Sequence, residues 1–294
     1  MYVSGMDGIS LSVASEAAQR QGVQGTPQLI RSGANDVYSV GEFIVRVSRS
    51  EADVGRDIAI VAFLKLAGVP VPEPVEAGEI DGVRYSLWEY VRSHQSGSID
   101  FRSFGEGIRA LHALSIDSFA DFDIPWCDEL DWLNVDHKLA EARSVQALSN
   151  EDLECLEAHA DRLRSWGERC RSVDPLVICH GDVHPQNVIM RDSQAVIIDW
   201  DTICVGPQQW DHAALMTWSD RWGGAASDYG DFTEGYGESF KSDPLAMMLA
   251  EVRLLAPTVN LVLRAAGDQR FTREAELRMR YWRNDPDAPP WSAQ

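Results

Sequence analysis

The sequence predicts an α+β fold in which a small β-rich N-terminal lobe, residues 1–92, precedes a large mainly α-helical C-terminal lobe, residues 93–294. Two observations carry this. Before residue 92 the apolar residues come in short runs bounded by turn formers, and after it they recur at the spacing of a helix face. The length, 294 residues, suffices for one large core or two ordinary ones.

In chain order, PQLIRSG (27–33), DVYSVG (36–41) and EFIVRVSR (42–49) read as strands, with Gly33-Ala34-Asn35 and Gly41 as turns that make an antiparallel meander. EADVGRDIAIVAFLKLAG spaces Ile58, Val61, Leu64 and Leu66 as a helix does and ends on Gly68, so a helix is expected against the meander. VPVPEPVEAG is extended, because its prolines lack amide donors and restrict their neighbours. VRYSLWEYV (83–91) returns to strand character, and the polar RSHQSGS after it places the lobe boundary near Ser93. Ile108, Leu111, His112 and Leu114 then form one helical stripe, and Leu153, Leu156, Ala160 and Leu163 another. PLVICH (175–180) is a short buried strand, and NVIM and AVIID form a hairpin across Arg191-Asp192-Ser193-Gln194. The closing WRNDPDAPPWSAQ reads as a loosely ordered tail.

Apolar residues make up 45% and charged ones 24% of the chain, the balance of a soluble globular protein. The net charge of -20 argues against a nucleic-acid or anionic-membrane partner. Residues 1–94 hold 12 acids and 8 bases, and residues 95–294 hold 34 and 18, so the negative field belongs mostly to the later part. No basic start precedes an apolar run, and no stretch approaches the roughly 20 apolar residues that cross a bilayer, so a cytoplasmic location is expected. Cys127, Cys155, Cys170, Cys179 and Cys204 form no C-x-x-C pair and read as reduced structural thiols. Nothing here bears on oligomeric state.

The stretch VICHGDVHPQNVIMRDSQAVIIDWD (177–201) concentrates the chemistry. His180, Asp182 and His184 would share one face of a strand and could bind zinc or iron. Gly181 and Pro185 break strand geometry there, and no distant His/Asp cluster completes a first shell. The other reading makes Asp182 a general base or hydroxyl orienter, with Asn187 and Asp199 as oxygen ligands for Mg2+. The hairpin turns the chain back, so that Asp199 is expected beside Asn187 and the loop of Asp182. A single Asp or Asn near a turn is ordinarily a cap. Here the spacing, the hairpin and the flanking CHGD and IIDWD coincide, and they match the catalytic loop and metal aspartate of phosphoryl transfer.

HGDVHPQN, followed by IIDWD and then GPQQWDHAAL (206–215), resembles the aminoglycoside phosphotransferase family, small-molecule kinases of bilobal protein-kinase-like fold. The resemblance implies ATP- or GTP-dependent phosphorylation of a hydroxyl, with Asp182 catalytic and Asn187 and Asp199 holding Mg2+. It implies that Asp211 steadies the catalytic loop, that backbone groups of Glu89 and Val91 bind adenine, and that the turn from Gly33 to Asp36 covers the phosphates. Arg46 stands where such kinases carry a phosphate-binding lysine, and Asp57 where they carry its glutamate partner. His180 and His184 then become loop architecture, while Asp201 faces either the loop backbone or the acceptor. Trp218 and Trp222 lie where relatives build the acceptor pocket, with plain packing as the competing role.

The expected partners are a nucleotide and a small-molecule acceptor. The acidic balance of residues 95–294 suits a cationic acceptor such as an aminoglycoside or amino alcohol, and would make the chain an antibiotic-resistance enzyme; a neutral sugar, nucleoside or macrolide is the alternative. A catalytically silent nucleotide-binding protein is the rival of another class, kept open by Arg46.

Overall fold

The computed structural model describes residues 3–33, 35–49, 53–92 and 99–292, with side chains from residue 8 onward. The expected lobe boundary at Ser93 and residue Ala34 of the expected phosphate-covering turn lie outside the described residues. Internal contacts divide the chain into two units, Met1–Asp100 with Val188–Asp201, and Phe101–Asn187 with Thr202–Gln294.

The first unit opens with helix α1 (Val3–Arg20) and continues through β1 (Gln28–Ser32), β2 (Asn35–Val40), β3 (Phe43–Ser48), α2 (Val54–Leu66), β4 (Pro74–Ile80) and β5 (Val83–Glu89). The strands form one antiparallel sheet in the order β1-β2-β3-β5-β4. Alternation sends Tyr38, Val40, Val45, Val47, Tyr85 and Leu87 to one face, and α1 lays Val13, Ala14, Ala17 and Ala18 on it. The sequence reading assigned no element to α1, because serines and glycines blur its apolar stripe. That reading also put α2 on the meander, whereas α1 packs on β2 and β3, and α2 packs on β4 and β5. Asp53 caps α2 by accepting the Arg56 N–H at 3.1 Å.

After β6 (Leu176–Cys179), the hairpin expected at 187–199 is present as β7 (Val188–Arg191) and β8 (Gln194–Ile197). Its register pairs Val188 with Ile197 and Arg191 with Gln194. The hairpin groups with the first unit: the Ile197 N–H donates to the Pro70 carbonyl at 2.8 Å, and Arg191 ion-pairs with Glu89 at 2.7 Å.

The second unit comprises α3 (Phe101–His112), α4 (Val135–Ser144), α5 (Asn150–Leu163), α6 (Trp166–Arg171), β6, β9 (Cys204–Pro207), α7 (Gln208–Met216), α8 (Trp218–Arg221), α9 (Asp228–Tyr236), α10 (Pro244–Gly267) and α11 (Thr272–Trp282). β6 pairs antiparallel with β9. Gly105 lets α3 and α9 touch, since a Cβ there would lie 2.0 Å from the Phe232 carbonyl oxygen.

Helix α10 runs through the core and packs on α4, α5, α6, α7 and α11. By length and composition its 24 residues could cross a membrane, contrary to the sequence reading, but 72% of its apolar window is buried within the fold. The tail also departs from expectation. Trp291 is only 4% exposed, meets Trp222 edge-on with centroids 5.3 Å apart, and lies under the Arg278 guanidinium at 5.1 Å. An aromatic anchor and a cation–π contact thus pin the segment that composition alone marks as loose. All five cysteines are free thiols.

Candidate active site

Strand β6 ends at Cys179 and delivers the chain into the loop His180–Asn187. Gly181 makes the turn possible: its φ is +86°, and a Cβ would lie 1.9 Å from the Thr202 carbonyl oxygen. Asp211, on α7 and 1% exposed, accepts the His180 N–H at 2.8 Å and the Gly181 N–H at 2.9 Å. His112 closes the arrangement, with Nε2 3.0 Å from Asp211 Oδ2 and Nδ1 2.8 Å from the Tyr236 hydroxyl. Burial pushes the Asp211 pKa up, but His112, His180 and the Gly181 amide outweigh it and keep the carboxylate charged. His112, Cys179 and Asp211 bring potential metal-ligating atoms within 4.8 Å of one another, yet both nitrogens of His112 already serve Asp211 and Tyr236.

The loop organises itself around Asp182. Its N–H donates to His180 Nδ1 at 3.2 Å, and its Oδ2 lies 3.1 Å from His184 Nε2. Asn187 donates through Nδ2 to the Asp182 carbonyl at 2.9 Å and to its carboxylate at 3.3 Å, which leaves the amide oxygen as the free acceptor of that side chain. Both histidines therefore serve the loop, and each ring is held within the protein. Arg253 of α10 is the residue that sequence reasoning missed. Its Nη1 donates to the Gly181 carbonyl at 2.6 Å and its Nη2 to Asp182 Oδ1, and its guanidinium lies 4.8 Å from the Trp132 ring centroid. Burial would raise the Asp182 pKa, but Arg253 and then His184 overcome it and hold the carboxyl well below the usual range. Asp182 is therefore a fixed carboxylate with one oxygen gripped by a cation.

Asp199 belongs to the first unit, two residues past β8, with φ +67°. Its carboxylate meets Arg46 at 3.3 Å and Arg31 at 3.4 Å, and Asp201 meets Arg46 at 2.5 Å. Asp201 is thus held by Arg46. Burial opposes the charge on Arg46, but Asp201 and Asp199 more than offset it. Arg46, Asp57, Ser86, Asn35 and Asp201 line a cavity of about 200 Å³ in this unit. Asp57 shares that cavity with Arg46 without an ion pair between them, and burial together with the Asp201 charge raises its pKa to about 6. Of the expected adenine contacts, the Glu89 N–H is taken by the Glu73 carbonyl at 2.9 Å, which leaves its carbonyl, and Val91 is buried. The Gly33 N–H donates to the Asn35 carbonyl at 3.1 Å, and Asp36 is buried between Ser10, Ser32 and Arg49.

A second cavity, about 280 Å³, opens beside Asp182 within the second unit. Trp132, His184, Trp218, Trp222, Arg253 and Arg264 are among the residues that line it, which places both tryptophans at a cavity wall and not only in packing.

A family model described as the phosphotransferase enzyme family matches residues 26–249. The chain belongs to the phosphotransferase enzyme family. No curated protein sequence matches this phosphotransferase. Among solved structures it is similar to a spectinomycin phosphotransferase in complex with ADP and spectinomycin, at 17% identity and TM-score 0.68, covering 93% of each chain. It is similar to a choline/ethanolamine kinase family protein from Mesorhizobium loti at 18% identity and TM-score 0.70, over 95% of this chain and 96% of that one. An amicoumacin kinase in complex with AMP-PNP, Ca2+ and Ami aligns at 13% identity and TM-score 0.68, over 96% of this chain and 95% of that one. At these identities the neighbours establish that the phosphotransferase has the kinase-like α+β fold.

Proposed function

We propose that this phosphotransferase moves the γ-phosphoryl group of ATP or GTP to a hydroxyl of a small molecule. The observation that carries the reading is Asp182: charged, 35% exposed at its side chain, and fixed by Arg253, His184 and Asn187 next to a cavity of ligand size. A carboxylate so placed orients an incoming hydroxyl and accepts its proton as the oxygen attacks phosphorus. Asp211 and His112 preserve the loop geometry on which that orientation depends.

Asn187 and Asp199 offer hard oxygen donors, the Asn187 amide oxygen and the Asp199 carboxylate, whose contacts to Arg31 and Arg46 are long. That donor set fits Mg2+, which when bound would neutralise phosphate charge. Arg46 supplies a planar cation for phosphate oxygens, with Asp57 as its neighbour in the same cavity. In this reading residues 1–92 bind nucleotide and residues 93–294 carry the catalytic loop and the acceptor, and the free cysteines suit a reducing, cytoplasmic setting. Between cationic and neutral acceptors, the cavity's single carboxylate, already gripped by Arg253, supports the neutral class.

Asp182→Asn should retain nucleotide affinity in calorimetry while ADP formation with an acceptor falls by roughly 10²–10⁴. Unchanged turnover would remove Asp182 from the mechanism.

A further inference from the structure

Strand β1 carries an irregularity that sets the direction of one cation. Leu29 pairs with Tyr38, but the next pair is Arg31 with Val37, so Ile30 is an extra residue and the strand bulges there. An unbroken ladder would put Ile30 opposite Val37 and Arg31 opposite Asp36, because a one-residue slip exchanges the faces. Residues directly opposite one another share a face of the sheet. Asp36 belongs to the face under α1, where its carboxylate accepts the Ser10 hydroxyl at 2.8 Å. The bulge instead places Arg31 in the cross-strand row of Val37, Arg46 and Ser86. Ser32, the next residue, keeps the α1 face and donates to Asp36 at 2.7 Å. One added residue thus carries a guanidinium from the α1 side of the sheet to the side of Arg46.

Arg31 and Arg46 leave the sheet two strands apart, about 10 Å between backbones, and converge on Asp199 within the first unit. Arg31 Nη2 lies 3.4 Å from Oδ2, and Arg46 Nη2 lies 3.3 Å from Oδ1. The two cations differ in what they have left to give. Arg46 is 16% exposed at its side chain and also holds Asp201, whereas Arg31 is 61% exposed and has Asp199 as its ion-pair partner among the described residues. The contact to Asp199 engages Nη2, and a guanidinium carries further N–H donors in the same planar fork. Those donors match two oxygens of a phosphate group.

We propose that Arg31 is a second phosphate-binding residue of the nucleotide site, aimed by the β1 bulge and by Asp199, and that it takes the terminal phosphates of a nucleoside triphosphate. The proposal rests on the reading of Arg46 as a phosphate ligand and of Asp199 as a metal ligand. The terminal phosphates are the ones concerned because the cation in phosphoryl transfer is shared by the β- and γ-phosphates, and Arg31 stands at the carboxylate that would hold it.

Isothermal titration of the full-length chain in Mg2+ buffer tests this with AMP, AMP-PNP, GMP and GMP-PNP, so that either base preference is covered and no turnover is needed. For the base that binds, Arg31→Ala should weaken the triphosphate analogue by about tenfold and leave the monophosphate within about twofold. Arg31→Glu should weaken the triphosphate analogue further than alanine does, since it sets a carboxylate against the phosphates. Both variants should melt within about 2 °C of the wild-type chain, as expected of an exposed side chain. A triphosphate affinity that Arg31→Ala leaves unchanged or tightens overturns the proposal and returns Arg31 to the status of a surface ion pair. Equal losses for monophosphate and triphosphate, or equal losses in the two variants, overturn it as well, because neither comes from a charge beside the terminal phosphates. The nucleotide reading fails in a different way: a wild-type chain that binds none of the four probes takes Arg46 and Asp199 down together with Arg31, whereas wild-type binding with an indifferent Arg31→Ala removes Arg31 alone.

Discussion

Asp182 and Asp57 are both partly buried carboxylates, and their neighbours drive them in opposite directions. Arg253 and His184 hold Asp182 charged, whereas Asp57 faces Asp201 across its cavity and is raised to about 6. Between an unfolded value near 3.8 and that folded value, the folded chain carries a proton on Asp57 that the unfolded chain lacks. Stability from this site therefore falls as pH rises from about 4 to 6 and stays reduced above. Asp57→Asn should stabilise the protein at pH 8 by on the order of 1–2 kcal/mol and change little at pH 4, as read from urea midpoints at the two values. Equal effects at both would remove the charge explanation. Asp182 itself is legible in the sequence because its motif is contiguous. Its cationic partner is not: Arg253 lies 71 residues away, and the one local sign of it is an arginine inside the apolar run of α10.

At the scale of elements, the meander, β5, the hairpin and α5 follow from apolar spacing and turn formers, which act between near neighbours. Elements whose fate rests on distant partners were misread. The tail looked loose because proline and polar residues dominate it, yet Trp291 docks on Trp222, Tyr281 and Arg278. Helix α1 had no visible stripe, since alanines and serines carry little contrast, and still its Val13, Ala14, Ala17 and Ala18 cover the sheet. Trp291→Ala should cost about 3 kcal/mol or more in denaturant unfolding, the usual range for an aromatic removed from a core. A loss under about 0.5 kcal/mol would return the tail to the status of a loose end.

For the molecule as a whole, acid stability depends on groups buried neutral. His212 sits among Tyr229, Phe232, Tyr236 and Phe240, with centroids 4.4–5.9 Å away, and Nδ1 3.1 Å from the Tyr229 hydroxyl. Burial, then the His112 charge, lowers its pKa to about 3. Below the unfolded value of 6.5 the unfolded chain gains a proton that the folded one refuses. Stability is thus full above that pH and declines on acidification, by up to about 1.4 kcal/mol per pH unit. Urea midpoints at pH 7.5 and 5 should differ in that direction, and His212→Gln should narrow the gap; an unchanged gap would place the acid sensitivity elsewhere.

Net charge shows the same division between near and far. Among the acids of residues 95–294, Asp128, Asp152 and Glu157 pair with Arg171, Arg283 and Arg143, and the lining of the cavity beside Asp182 includes three arginines and three tryptophans. The meander and the hairpin were already legible in the chain's own spacing, because turn chemistry and periodicity act over a few residues. Which carboxylate meets a cation and which tryptophan lines a cavity depend on contacts across tens of residues, and those came into view with the fold.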